Sequence, residues 1–248
     1  MPGTLQIPYS APYETGLKQL ELVGQKAETP DGSIFRYTQM GGVVGVANKL
    51  YQSAVPAALW LTQVHTVALD VGDTEISFKD GGTAFVANEA AGGTLILEET
   101  ADLGHIYHVK SNIATASNQT IMQLEDGVTV QVAMTVAANN VLTFIKNPWK
   151  DVIISPASAN SAPNAGIPRV IIAIAAFGWV QTRGPSSCLI DSTTSAILLG
   201  NAIRASESIV GAVALVEESA GIVDYQHIGY AMETAPEADF GHVFLQIE

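Results

Sequence analysis

The sequence predicts an all-β protein: two small β-sandwich or barrel domains behind an extended N-terminal arm. Apolar residues alternate with polar ones over short runs, and glycine-containing turn pairs recur between those runs. No segment sustains a 3.6-residue apolar period over a helical length.

Residues 1–29 read as the arm. Pro2, Pro8 and Pro12 interleave with Tyr9 and Tyr13, and a short amphipathic stretch with Leu17, Leu20 and Val23 leads up to Gly24. Proline fixes φ and removes a backbone donor, so such an arm lies along a neighbouring surface without competing for sheet pairing. Two readings stay open, a clamp on a partner subunit and a disordered terminus; tyrosines are uncommon in solvated tails. As a clamp, its contact residues are Tyr9, Tyr13 and Leu17, and removal of residues 1–27 is expected to leave a folded chain.

Strands follow from residue 30. In Glu75 to Lys79, Ile76 and Phe78 share one face. Gly127 to Val136 alternates more clearly, with Val128, Val130, Val132, Met134 and Val136 on one side, and predicts a strand. In the last residues, 241–248, Val243, Leu245 and Ile247 fall together, so the final segment is expected inside a sheet. Asp31-Gly32, Asp80-Gly81-Gly82, Gly92-Gly93 and Asp126-Gly127 supply the turns.

Residues 155–167, SPASANSAPNAGI, are almost wholly Ser, Ala, Asn, Pro and Gly, the composition of a linker. The expected division is a β-domain over 30–154 and a second over 168–248. A weak internal echo links YTQMGG and VANKLYQS at 37–53 to VQTRGP and LLGNAIRAS at 180–206. It arises by chance or reflects two similar β-units facing each other.

Composition narrows the function classes. The chain has 248 residues, 24 Asp and Glu against 11 Lys and Arg, and a net charge of −13. Charged residues make up 14% and apolar ones 48%. An average soluble protein carries about 25% charged residues, so much of this surface is uncharged and suits wide protein contacts. Nucleic acid is not an expected partner, because neutralising phosphates needs a basic stripe. No membrane span is expected either: the longest apolar run, Val170 to Val180, is far short of the roughly 20 residues required. The N-terminus lacks the basic and apolar regions of a secretory signal, and the single cysteine, Cys188, forms no intrachain disulfide. Assembly in the cytoplasm follows.

Candidate chemistry is sparse. Gly184-Pro185-Ser186-Ser187-Cys188 is not G-x-S-x-G and no helix pattern follows it, so Cys188 reads as a buried strand residue. His105 and His108 are three apart and would point to opposite faces of a strand, unlike metal ligands. Asp70, Asp73 and Glu75 lack the ligand spacing of a calcium loop. The pairs Glu98-Glu99 and Glu217-Glu218 are adjacent and diverge on a strand. No catalytic, cofactor-binding or metal-binding residue is therefore expected, and the chain does not read as an enzyme. Trp179 reads as core. Trp149 follows a proline in KNPWKD and is expected at the surface, as a protein contact or sugar-stacking residue.

Several segments taken in order resemble the head decoration, or cement, proteins of tailed bacteriophages and related virion proteins. They are PDGSIFRYTQMGG at 30–42 running into ANKLYQS, GDTEISF at 72–78, ANEAAGGTLIL at 87–97, GHIYHVKSN at 104–112, IKNPWKD at 145–151, FGWVQTRGP at 177–185, and GYAME followed by HVFLQIE. The resemblance covers residues 28–248 and leaves the arm unmatched; Asn201-Ala202 departs from the polar turn usual there. It implies a non-enzymatic virion component on the outer capsid surface that bridges subunits of the major capsid protein, commonly as a homotrimer. The alternative is a receptor- or glycan-binding module of a tail spike or fibre, with Trp149 or Trp60 as a stacking platform.

Overall fold

The computed structural model describes residues 3–98, 104–193, 195–216, 226–234 and 238–248. These are nearly all β: 40% strand against 3% helix, the helix being two single 3-10 turns, Ala11–Tyr13 and Ala58–Trp60. They divide into two compact units, Met1–Val55 with Pro148–Glu248, and Pro56–Asn147. The second unit is thus an insertion in the first.

Strands β1 (Leu5–Gln6), β2 (Lys26–Glu28), β3 (Ile34–Gln39) and β4 (Tyr51–Gln52) precede the insertion. Within it run β5 (Gln63–Val64), β6 (Glu75–Lys79), β7 (Thr94–Glu98), β8 (Ile106–Asn112), β9 (Gln119–Leu124) and β10 (Val141–Ile145). After it come β11 (Ile153–Ile154), β12 (Asn164–Pro168), β13 (Phe177–Asp191), β14 (Ala202–Ala205), β15 (Val213–Leu215), β16 (His227–Ala231) and β17 (Phe240–Gln246).

In the first unit, β13, β15, β14, β16 and β17 close into a five-stranded barrel, because β17 pairs back onto β13. Cys188, Ile190, Ile203, Val213, Ile228, Val243 and Leu245 fill it, contributed by the inward-facing positions of each strand. The N-terminal half of β13 instead pairs with β3, which extends through β2 to β1. Asp31 fixes the β2–β3 turn: it accepts hydrogen bonds from Thr29 Oγ1 at 2.5 Å and Ser33 Oγ at 2.8 Å, while Gly32 takes φ +79°.

The inserted unit is a six-stranded sheet in the order β5-β10-β7-β8-β9-β6, nearly closed into a second barrel. Its core holds a cluster of packed aromatic rings. Trp60 stacks on Phe85 with centroids 4.1 Å apart, and Phe144 meets both edge-on. Such contacts add about 0.5–1.5 kcal/mol each beyond their area. Ile76 and Phe78 on β6 point into this core, as their alternation predicts.

Three expectations need correction. The predicted strand over 127–136 is instead irregular: its alternation puts Val130 and Met134 into the core, but the backbone pairs only at scattered points, through an isolated bridge from Met134 to Leu69 and hydrogen bonds of Val130 with Asp73 and Gly72. The units do not divide at 155–167. Asn164–Pro168 is a wholly buried strand between β4 and β13, and its small residues permit close approach: a Cβ on Gly166 would stand 2.8 Å from the Gln181 carbonyl oxygen. Small-residue composition there encodes crowding, which the 30–154 and 168–248 boundaries mistook for a flexible joint. The echo segments likewise do not define two units: 37–53 and 180–206 both lie in the first unit.

The chain leaves β4 for the insertion and returns through β11, and these strands pair antiparallel, Gln52 opposite Ile153. The two stems therefore lie side by side in the first unit. Replacing residues 56–147 by a short Gly/Ser linker is expected to preserve a cooperatively folded first unit; circular dichroism and a single thermal transition check this. Gly229 is a sharper probe, since at φ +157° a Cβ would fall 1.9 Å from the Phe244 carbonyl oxygen. Gly229→Ala is expected to destabilise the closed barrel by about 3 kcal/mol in denaturant unfolding.

Candidate interaction surface

The N-terminal segment does not hang free. Its β1 pairs parallel with β2, Gly16 exchanges both backbone hydrogen bonds with Phe177, and the Leu20 N–H donates to the Tyr37 hydroxyl at 3.1 Å. Leu5, Ile7 and Val23 pack inward on Phe35, Tyr37, Phe177 and Trp179. Residues 1–27 are thus part of the first unit, and their deletion would strip the cover from an aromatic cluster.

The same segment is apolar on its other side. Tyr9, Tyr13, Leu17, Leu20 and Leu22 all face solvent, Leu17 with 78% and Leu20 with 71% of its surface exposed. A backbone tied at Gly16 and Leu20 thus presents five large apolar side chains outward, more than a monomer usually shows in one stretch. Three of the expected contact residues, Tyr9, Tyr13 and Leu17, lie on this surface.

Trp149, the fourth, does not share it in the expected way. Its ring is half-buried against the cluster around Tyr51 and Val152, its Nε1–H donates to the Ala165 carbonyl at 3.2 Å, and the Arg36 guanidinium covers it at 4.5 Å. Proline in KNPWKD ends the insertion and turns the tryptophan back onto the first unit, which is why the exposed-turn expectation fails. Trp60, only 5% exposed, lies in the core of the insertion. Neither ring offers an open stacking face.

A second apolar surface was not foreseen. Gly45 and Ile172 exchange backbone hydrogen bonds at 2.7 and 2.9 Å, tying two loops together, and Val43, Val44, Val46, Ile171 and Ile174 around this tie are exposed. Its trace in the sequence is the apolar run Val170 to Val180. That run is too long for the buried Ile172, Phe177, Trp179 and Val180 alone.

Arg36 organises the junction beneath Trp149. It forms a bidentate pair with Glu248, the closest contact 2.5 Å, and donates to the Gly24 carbonyl at 2.8 Å. Burial pushes the Glu248 carboxyl up, but hydrogen bonds from Arg36 and Thr182 together with the Arg36 charge outweigh it, and the group titrates below its ordinary 4.5. Asp191 behaves alike: burial opposes its charge, while Ser206 and Thr193 hydrogen bonds and nearby Arg204 hold it low.

The other sequence candidates are dispersed. Cys188 is fully buried in the barrel, and burial pushes its thiol up to about 12, so no thiolate forms at neutral pH. Ser186 is a buried residue within β13. His108 is exposed on β8 and His105 stacks beside Tyr107. Among the described residues, no three His, Cys, Asp or Glu side chains gather in a way that could hold a metal ion, and no helix is long and apolar enough to cross a membrane. Glu99, Glu217 and Glu218 lie outside the described residues. Comparison with known proteins finds no matching family model, curated protein or solved structure.

A depressed carboxyl contributes stability that is complete above its ordinary titration range and disappears as pH falls through its folded-state value. The melting temperature should therefore be level near neutrality and fall below about pH 4.5. Glu248→Gln should cost about 1–3 kcal/mol at pH 7 and converge with the parent at acid pH; parallel pH curves would show that the pair contributes nothing.

Proposed function

We propose that the protein is a structural component of a tailed-phage virion, bound to the outer capsid surface, where it stabilises the shell by bridging subunits of the major capsid protein. The observation that carries this reading is the row of outward apolar side chains from Tyr9 to Leu22 on a backbone already held in place. Docking such a row orders few additional backbone dihedrals, so little of the apolar gain is lost to chain entropy. Each leucine removed from water contributes about 1.5–3 kcal/mol, and many copies on one shell add avidity.

Other features support the same reading. The order of sequence motifs resembles head decoration proteins, and the low charge density leaves wide neutral surfaces for contact with the shell or with sister copies in a homotrimer. A net charge of −13 suits the outside of a particle, away from the packaged genome. The tail-spike or fibre alternative relied on Trp60 or Trp149 as a sugar platform, and both rings are engaged within the fold.

The test uses surface substitutions, since deletion would uncover the core. The combined variant Tyr9→Ser, Tyr13→Ser, Leu17→Ser and Leu20→Ser is expected to keep the parent circular dichroism and to lose at least tenfold in co-sedimentation with expanded phage shells. Retention on shells at the parental level overturns the assignment of this surface. Hundreds of copies per purified particle support a head location, whereas a few copies at the tail overturn it.

A further inference from the structure

An aspartate followed by glycine is among the peptide steps most prone to spontaneous rearrangement, because glycine has no side chain to crowd its own amide nitrogen when that atom attacks the carboxyl. The chain has three such steps, Asp31-Gly32, Asp80-Gly81 and Asp126-Gly127, and no Asn-Gly step. All three glycines take positive φ, +79°, +62° and +79°. Backbone conformation therefore does not separate them, but their surroundings do.

Two of the steps are locked. Asp31 accepts hydrogen bonds from Thr29 Oγ1 and Ser33 Oγ, and the Gly32 N–H, which would have to attack, donates to the Thr29 carbonyl at 2.9 Å. The Thr29 hydrogen bond outweighs burial and, with those from Ser33, holds the Asp31 carboxyl below its ordinary 3.8. The neutral acid, the form with a hydroxyl to lose, is correspondingly scarce. Asp80 is 1% exposed, and its Oδ1 accepts from the Gly82 N–H at 2.8 Å. Gly81 is wedged beside it: a Cβ there would fall 2.3 Å from the Leu59 carbonyl oxygen.

Asp126-Gly127 has none of these restraints. One hydrogen bond, from the Val128 N–H to the Glu125 carbonyl at 3.0 Å, closes a type II turn with Gly127 at its third position. The Gly127 N–H makes no hydrogen bond among the described residues. Beyond the adjoining residues, no atom stands within 4 Å of where a Gly127 Cβ would be. The Asp126 side chain is 86% exposed and pairs with Lys110 Nζ at 2.7 Å, itself on a 47% exposed side chain. Such a surface pair contributes little and opens readily. The peptide plane is thus free to swing until the Gly127 nitrogen meets Asp126 Cγ.

We propose that Asp126 is a modification site at which the folded chain converts to isoaspartate, while the fold protects Asp31 and Asp80. The Gly127 nitrogen bonds to Asp126 Cγ, and the carboxyl hydroxyl leaves with the amide proton as water, giving a succinimide. Solvent water then adds to either ring carbonyl. Addition at Cγ breaks its bond to nitrogen and restores aspartate. Addition at the backbone carbonyl carbon frees an α-carboxylate and leaves the chain running through Cγ. One water is lost and one regained, so mass is unchanged while the backbone gains one atom. The lengthened turn lies between β9 and Val130, which is buried in the core of the insertion.

The test holds the full chain in heavy-oxygen water at mildly acid pH for several weeks, folded or in urea, and then maps its peptides by mass. Each succinimide opened by solvent retains one heavy oxygen, and a protease that cuts before aspartate but not before isoaspartate separates the two products. In the folded chain, label at Asp126 is expected to exceed that at Asp31 and Asp80 by about tenfold, equivalent to about 1.4 kcal/mol in barrier, and urea is expected to abolish the difference. Comparable label at all three sites in the folded chain, or more at Asp31 or Asp80, overturns the proposal. A difference that persists in urea overturns protection by the fold. Asp126→Glu, whose ring would need a sixth member, is expected to lose the label at this step and keep the parent circular dichroism; label persisting there overturns the aspartyl route.

Discussion

The structure of the first unit depends on one strand that must satisfy hydrogen bonds along both edges for 15 residues. Phe177–Asp191 pairs first with β3 and β12, then with β17 and β15. To change partners it needs an irregularity, and the pairing with β3 slips between Gln181 and Arg183. Gln181, fully buried, steadies the slip: its Nε2 donates to the carbonyls of Arg183 and Pro185, and its Oε1 accepts from Arg169. Pro185 has no N–H to pair, and Gly184 at φ +98° allows the close approach of Ser33. One glutamine thus replaces the hydrogen bonding that a regular ladder would supply, and the N-terminal sheet and the barrel share a single continuous strand.

This sharing bears on the N-terminal segment. Because Gly16 pairs with Phe177, the first residue of the long strand, the exposed tyrosines and leucines are carried on a backbone tied to the strand that continues into the barrel. Arg36 adds a second tie by joining Gly24, Trp149 and Glu248. Force applied to the apolar row would pass into backbone pairing rather than into a flexible tether. That is the mechanical property the proposed shell-bridging role requires, and it differs from a disordered arm that orders only on binding.

Much of the all-β fold was legible because two-residue alternation survives wherever one face of a strand is buried, as in Glu75–Lys79 and Phe240–Gln246. Alternation reports burial, however, and not pairing. Residues 128–134 keep the burial pattern while their backbone bonds only at scattered points. Small residues misled in the opposite direction: 164–168 looks like a linker because Gly166 and Ala165 fit where strands crowd. The insertion was illegible because its limits are set by the pairing of Gln52 with Ile153, about a hundred positions apart in sequence, and no local signal marks such a contact. Of the contact residues, Tyr9, Tyr13 and Leu17 were readable as aromatic and aliphatic groups in a proline-rich segment. Trp149 was not, because its cover comes from Arg36 on a distant strand.

The composition of the chain acquires a more specific meaning from these elements. Two separate cores, one aliphatic and one mixed aliphatic and aromatic, account for a large part of the apolar content. The exposed valines and isoleucines near Gly45 and Ile172 and the row from Tyr9 to Leu22 hold another part at the surface. Net charge works against unregulated association of these surfaces: at −13, copies repel one another in solution over about a Debye length. Contact is then favoured where a partner offers a matching neutral apolar surface at short range, a short-range gain that must exceed the long-range repulsion. A lattice of repeated sites meets that condition better than a single free copy does, because each docked molecule is held at several contacts while the repulsion between neighbours is screened by salt.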